Sequence, residues 1–357
     1  MSLLLNLQDY EREAASKLDA NALEYYVGGA DDEITIARNR EAFSEISLLP
    51  RVLRGVSKRD LSASLLTESF AMPIGIAPTA MQRLAHDDGE LATARAAASM
   101  GVPMILSTTS TVAVEEVACV PGLSLWFQVY VYKDRLATKE LAQRAVKAGC
   151  KALVLTVDAP YLGKREREAR MGFHLPPNLR LPNYERLGST HVAGSEGESG
   201  LARHFIQNID PALTWDDVTW LKEISGLPVI VKGILRADDA LLAKQYGADG
   251  IIVSNHGGRQ LDTAEASIYA LEAIAEVIGT SMELLLDGGV RRGTDVLKAL
   301  ALGAKAVFLG RPILWGLAID GEQGVKRVLE IIRDEFDLAM ALAGCRNIGE
   351  ITHDLLA

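Results

Sequence analysis

Residues 228–256 read PVIVKGILRADDALLAKQYGADGIIVSNH, and their order decides the fold. Val229-Ile230-Val231 and Ile251-Ile252-Val253 are apolar triplets without polar alternation, so each predicts a strand covered on both faces, as in a parallel sheet. Between them, Ala237 to Tyr246 predicts a helix that stops at Gly247. Strand, helix and second buried strand make one parallel β/α/β unit.

The same unit recurs on both sides. Pro73-Ile74-Gly75-Ile76-Ala77, Met104 to Ser107, Leu123 to Val131 and Ala152 to Asp158 precede it, and Leu284 to Gly288 and Ala306 to Gly310 follow. Glu90 to Met100 predicts a helix stopped by Gly101, Lys133 to Ala148 one stopped by Gly149, and Asp295 to Leu302 one stopped by Gly303. Thr214-x-x-Asp217 resembles a capping box and predicts a further helix start. Eight strands, each followed by a helix, predict an α/β fold of the (β/α)8 TIM-barrel type, one domain over 1–357. Residues 1–65 precede the alternation and are expected to pack on the barrel as a helical extension. Only the interval after the fourth strand breaks the rhythm. Met171 to Ser199 is rich in Pro, Gly, Asn and Ser, so 171–210 is expected to form an active-site lid loop on the C-terminal face.

A chain of 357 residues with 48% hydrophobic and 24% charged residues has enough apolar surface for one large core. Its net charge of -10 repels a phosphate backbone, which argues against nucleic acid as a partner, though a local basic patch can still hold one phosphate. Cys119, Cys150 and Cys345 have no paired or metal-type spacing and are expected to be reduced thiols; no metal site is expected. No apolar run approaches the roughly 20 residues of a membrane helix, Met1 to Ala20 lacks the core of a signal peptide, and the C-terminus is not a peroxisomal address. A cytoplasmic protein with no membrane partner is the expectation.

The chemistry collects at the predicted strand ends. Ser254-Asn255-His256-Gly257-Gly258-Arg259 leaves the sixth strand with an imidazole suited to proton transfer and a planar fork suited to a carboxylate. Asp158 leaves the apolar run Ala152-Leu153-Val154-Leu155 and needs a partner. His256 is one choice, in which case the carboxylate would raise the imidazole pKa; a helix N-cap is the other. Lys232 ends the fifth strand and either aims into the barrel mouth, snorkels outward, or serves as a Schiff-base lysine in an aldolase. Asp287-Gly288-Gly289-Val290-Arg291 and Gly310-Arg311-Pro312 end strands seven and eight, where such barrels bind phosphate; a purely structural glycine turn is the alternative. Pro78-Thr79-Ala80 offers small residues after the first strand, and Tyr25 and Gln128-Val129-Tyr130 could bring amide and hydroxyl groups to the mouth.

With SNHGGRQLD and DGGVRRGTDV on successive strands, supported by PTAMQ, QVYVYKDR, LTVDAP, VKG and LGRP, the chain resembles the FMN-dependent 2-hydroxy-acid oxidases and dehydrogenases, from about Leu7 to Ile351. The resemblance implies His256 as acid/base with Asp158 as its partner, and Arg259 holding the substrate carboxylate with Tyr25 and Arg165 assisting. It implies Tyr130 near the hydroxyl being oxidised and Lys232 at the flavin N1/O2 edge. Pro78, Thr79, Ala80, Ser107, Gln128, Thr156 and Ser254 would meet the ring and ribityl chain; Asp287, Gly289, Arg291, Gly310 and Arg311 would hold the tail and phosphate. Two accounts of the chemistry stay open, hydride transfer with proton removal from the hydroxyl, and carbanion formation at the alpha carbon.

Plant-type glycolate oxidases carry a tryptophan two residues after the serine of the second strand; here Ser107-Thr108-Thr109 leaves a smaller wall, although Phe205 could refill part of the space. L-lactate is therefore the expected preference, with glycolate and longer acids tolerated. The segment after the fourth strand, with Asn178, Arg180, Asn183, Glu185, Arg186, Glu196 and Glu198, is too polar to enter a bilayer. Molecular oxygen is then the expected acceptor, with peroxide released, and Ala80 points the same way. The resemblance also implies a homotetramer or homo-octamer. The rival classes are a dehydrogenase with another acceptor, a lysine-dependent aldolase and a flavin-binding module without turnover.

Overall fold

Eight parallel strands close on themselves: Ile74–Ile76, Met104–Leu106, Leu125–Val129, Leu153–Thr156, Val229–Ile234, Gly250–Val253, Glu283–Asp287 and Ala306–Leu309, with the last hydrogen-bonded to the first. The computed structural model describes residues 3–187 and 199–357, with 185–187 described in backbone only. Every residue of the fourth, sixth and eighth strands is buried, as the apolar runs require of a sheet enclosed on both sides.

Side chains alternate along each strand and so divide the core in two. Ile105, Trp126, Val154, Ile230, Ile252, Leu285 and Phe308 form a small separate cluster inside the barrel. Their neighbours in sequence, such as Leu106, Phe127, Leu155, Val231 and Val253, join the larger core under the helices. Gly75 is required by this interior, because a Cβ there would come within 2.5 Å of the Phe308 ring. A short antiparallel hairpin, Ala63–Leu65 with Glu68–Phe70, adds Leu65 and Phe70 to the interior cluster. It meets the start of the seventh strand, where the Leu66 amide donates to Glu283, and so plugs the N-terminal end. Nothing in the sequence pattern announced this plug; three-residue strands leave too little alternation to detect.

The helices follow the predicted starts and stops within a residue or two: Gly89–Met100, Arg135–Ala148, Ala237–Gln245 and Gly293–Ala301. The helix expected at Thr214 begins at Asp216, and Trp215 caps it without a side-chain bond. Only half of the capping box forms, since the Asp217 carboxylate accepts from the Thr214 amide at 2.7 Å. The segment after the fourth strand is more ordered than a loop. Glu166–Met171 and Gly200–Asn208 are α-helical, and Pro182–Leu187 is a 3-10 turn. Asn183, one of the polar residues of this segment, is buried and binds the loop after the second strand through Ser110 Oγ at 2.8 Å. The remainder of the expected lid, 188–198 with Glu196 and Glu198, lies outside the described residues.

Three helices precede the barrel, Leu7–Lys17, Ala20–Val27 and Ile34–Glu45. Tyr26 hydroxyl donates to the Met81 carbonyl at 2.8 Å, tying the second of them to the loop after the first strand. The cysteines are unpaired; Cys150 and Cys345 are buried, whereas Cys119 is exposed. Among the described residues no helix is long and apolar enough to cross a membrane.

Candidate active site

Strand alternation carries one polar layer to the mouth of the barrel. Two residues beyond Ile105, Trp126, Val154, Ile230, Ile252 and Leu285 stand Ser107, Gln128, Thr156, Lys232, Ser254 and Asp287, all buried. They bond to one another around the rim. Ser107 donates to Gln128 Oε1 at 3.3 Å, and Gln128 Nε2 donates to Thr156 Oγ1 at 3.0 Å. Lys232 Nζ donates to Ser254 Oγ at 2.9 Å and lies 3.2 Å from Asp287, to which Ser254 also donates. Lys232 therefore aims into the mouth, paired with a carboxylate, and does not snorkel. Two residues past Ser107, Gln128, Thr156, Ser254 and Asp287 stand Thr109, Tyr130, Asp158, His256 and Gly289, a second layer beyond the strand ends.

In that layer His256 Nδ1 lies 2.9 Å from Asp158 Oδ1. Against an ionised carboxylate Nδ1 carries the proton, which leaves Nε2 as a base. The loop reaches this geometry through three successive left-handed residues, His256 at φ 59°, Gly257 at 64° and Gly258 at 76°. Such a conformation is strained for a histidine and easy for glycine, which explains the pair of glycines. Across from them Gly233, at φ 114°, gives way to Asp158: a Cβ there would sit 2.7 Å from both its Cβ and Cγ. The expected rise of the His256 pKa does not occur. Burial lowers it, and the Lys232 and Arg165 cations add to burial, which together outweigh the Asp158 charge. Burial pushes Asp158 upward, but the His256 and Lys232 charges carry it below the ordinary carboxylate value. The resting pair is a neutral imidazole held by an aspartate.

Arg259 Nη1 donates to the carbonyls of Tyr25 and Gly28, each at 2.7 Å, and Nη2 to Glu168 Oε1 at 3.1 Å. Its guanidinium also stands over the Tyr25 ring, 5.0 Å from the centroid. Arg165 donates to the same Glu168 oxygen at 3.2 Å and to the Arg259 carbonyl at 3.3 Å. Tyr25 stacks on Phe173 at 4.5 Å, and Tyr130 meets Phe205 edge-on at 4.9 Å. Burial raises the Tyr130 pKa, followed by the neighbouring Asp158 charge, so its hydroxyl stays protonated. Sequence reasoning missed Glu168 altogether. A glutamate among Arg165, Arg167 and Arg170 reads as a solvated helical charge, and only the fold shows it buried between two arginines.

The glycine-rich ends of strands seven and eight form the other half of the cleft. Gly288 and Gly289 have φ of 96° and 86°. A Cβ on Gly289 would lie 1.9 Å from the Asn39 carbonyl, so the extension, not only a ligand, demands glycine there. Gly310 opens the long helix Arg311–Ala343, which bends at Asp320 and Gly321. Arg311 is held by the carbonyls of Tyr26, Gly257 and Gly28 at 2.9, 2.9 and 3.1 Å. Arg291 Nε is buried with no acceptor among the described residues, and burial, with Arg40 next, lowers its pKa to about 10. A buried guanidinium donor without an acceptor, beside a helix start and two glycines, is what a phosphate would complete. The rim from Ser107 to Asp287 supplies donors and acceptors for the polar edge of a flat heterocycle, so the residues present fit FMN.

One cleft joins these parts. Its walls include Tyr25, Pro78, Thr79, Ala80, Ser107, Gln128, Tyr130, Thr156, Arg165, Lys232, His256, Arg259, Asp287, Gly289, Arg291, Gly310 and Arg311. Asp158 and Ser254 stand behind this wall, in contact with His256 and Lys232 respectively. Thr109, Leu162, Leu201, Phe205 and Phe308 also line it. Apolar residues such as Leu201 carry no local signal of a site; only the return of their helix over the mouth puts them there.

The FMN-dependent dehydrogenase family matches residues 14–357 of this chain. The chain is 52% identical over 357 residues to an L-lactate oxidase of Nostoc sp., covering 99% of this chain and 98% of the relative. It is 51% identical to glycolate oxidase 3 of Arabidopsis thaliana, covering 98% and 95%. A crystal structure of mandelate oxidase with (S)-4-hydroxymandelic acid superposes with a TM-score of 0.94 at 42% identity, covering 98% and 97%. These likenesses set aside the aldolase reading of Lys232, in keeping with its pairing to Asp287. The chain is a (β/α)8-barrel enzyme of the FMN-dependent 2-hydroxy-acid oxidase family.

Proposed function

We propose that the protein oxidises small L-2-hydroxy acids, L-lactate preferred, to 2-oxo acids, with molecular oxygen as acceptor and hydrogen peroxide as co-product. The observation that carries the reading is the convergence of His256, Arg259 and Tyr130 on one cleft that the polar rim of the barrel also lines. FMN, when bound, supplies the two-electron chemistry. Arg259, steadied by Tyr25 and Arg165, binds the substrate carboxylate in two-point contact. His256 Nε2 takes a proton from the substrate, and Asp158 holds the imidazole in the correct tautomer and stabilises the cation that results. Tyr130 donates to the substrate oxygen, and Lys232 would supply positive charge at the rim to a bound flavin. Pro78, Thr79, Ala80, Ser107, Gln128, Thr156 and Ser254 would flank the ring of a bound FMN; Asp287, Gly289, Arg291, Gly310 and Arg311 would hold its ribityl tail and phosphate.

Thr109 on the cleft wall supports a substrate with a side chain, because a threonine leaves room that a large aromatic ring would fill. The likeness to an L-lactate oxidase agrees. Phe205, buried edge-on against Tyr130, supports glycolate as the second reading, since it narrows the same space. Oxygen as acceptor is supported by the relatives' names as oxidases. Mixing the holoenzyme anaerobically with L-lactate, D-lactate and glycolate, then admitting air and assaying peroxide, tests every part. Bleaching of the flavin is expected fastest with L-lactate and absent in His256→Ala. A clearly higher kcat/KM for glycolate would overturn the substrate preference.

A further inference from the structure

A guanidinium has five N–H donors. In Arg259, Nη1 spends its two on the carbonyls of Tyr25 and Gly28, and Nη2 spends one on Glu168. None of these three bonds uses Nε, which shares one edge of the plane with Nη2; the Tyr25 side chain is a further hydrogen-bonding neighbour of this guanidinium. That edge is a fork matched to a carboxylate. The orientation of Arg259 thus depends on what occupies its opposite edge.

Glu168 supplies that occupant and reaches two other elements as well. Its side chain is 1% exposed, and its Oε1 accepts from both Arg259 and Arg165. Its Oε2 accepts from Ser199 Oγ at 3.1 Å. Ser199 is the cap of the helix Gly200–Asn208, which brings Leu201 and Phe205 to the cleft wall. One carboxylate therefore joins the loop after the fourth strand, the loop after the sixth, and the helix over the mouth. Without it, two guanidinium groups would face each other in a site with little water, and a buried charge deprived of its partner is strongly destabilised.

We infer that Glu168 is a positioning residue for substrate recognition: it turns the Nε edge of Arg259 toward the substrate carboxylate and fixes the helix that walls the substrate side chain. The inference rests on the reading of Arg259 as the carboxylate anchor. It is tested on FMN-loaded Glu168→Gln, Glu168→Asp and Arg259→Ala by anaerobic flavin reduction over a range of L-lactate concentrations. Glu168→Gln should raise the half-saturating concentration about tenfold or more, a larger factor than the fall in limiting rate, with bound flavin retained. Glu168→Asp, which keeps the charge, should recover a substantial part of that loss, a rescue that a space-filling role would not produce. If half-saturation moves in Arg259→Ala but stays within twofold of the parent in Glu168→Gln, the role of Glu168 is overturned while the anchor stands. Equal impairment of the Gln and Asp variants, or loss of flavin from both, also overturns it. An unmoved Arg259→Ala removes the anchor reading itself.

Discussion

Asp158 is bound to His256 through one oxygen only: Oδ1 lies 2.9 Å from Nδ1, whereas Oδ2 is buried without a protein partner among the described residues. The bare Cα of Gly233 leaves the side chain the space it occupies. Its hydrogen bond is thereby given to the imidazole, while its charge also acts on Lys232 and Tyr130.

This geometry fixes the expected pH dependence. The His256 pKa is depressed below 6.5, so the neutral base is populated above that lowered value and lost as pH falls through it. The acid limb of kcat/KM for flavin reduction should have its midpoint below pH 6.5. In Asp158→Asn the limb should move further toward acid, because the anion that opposed the shift is gone, and the limiting rate should fall about a hundredfold or more as the tautomer is no longer held. A limb centred above pH 6.5 in the parent enzyme would contradict the assignment.

Gly233→Ala tests the same relationship from the other side. Its φ of 114° is unfavourable for alanine, and the new methyl would lie 2.7 Å from Asp158. A destabilisation of about 1–3 kcal/mol is expected, together with slower reduction as Asp158 is displaced. Thermal unfolding and stopped-flow bleaching measure the two effects; parent-like values of both would show that Asp158 does not need this space.

At the phosphate end the sign of the prediction differs between the two forms of the protein. Arg291 is buried and has an unsatisfied Nε, so Arg291→Leu should leave the flavin-free protein as stable as the parent or more so. The same change should weaken FMN binding by about 2–4 kcal/mol, because an anion loses a desolvated cation. Flavin fluorescence titration and thermal shifts with and without FMN separate the two. Unchanged FMN affinity would move the phosphate elsewhere.

Thr109→Trp should close the space next to the substrate side chain. The ratio of kcat/KM for L-lactate over glycolate is expected to fall roughly 10–200-fold, the range for one methyl group in an apolar pocket. A ratio that stays constant would place the substrate methyl against another wall, with Leu162, Leu201 and Phe205 the next candidates.

Much of this enzyme was determined by local sequence alone. Unbroken triplets such as Ile251-Ile252-Val253 suit strands buried on both faces of an enclosed parallel sheet, and glycines such as Gly101 and Gly149 set helix ends. Period-two alternation then forces Gln128, Thr156, Lys232 and Ser254 onto the rim, because each lies two residues past an interior side chain. Tertiary structure decided what depends on distance and solvent. Whether burial or Asp158 governs His256 is a balance of desolvation against charge, and no spacing along the chain encodes it. Glu168 reads as one more charge on a polar helix until the fold removes water around it and brings Arg259 from 91 residues away. The plug of Leu65 and Phe70 was hidden for a related reason, since strands of three residues carry almost no pattern and acquire meaning only from the barrel end they fill.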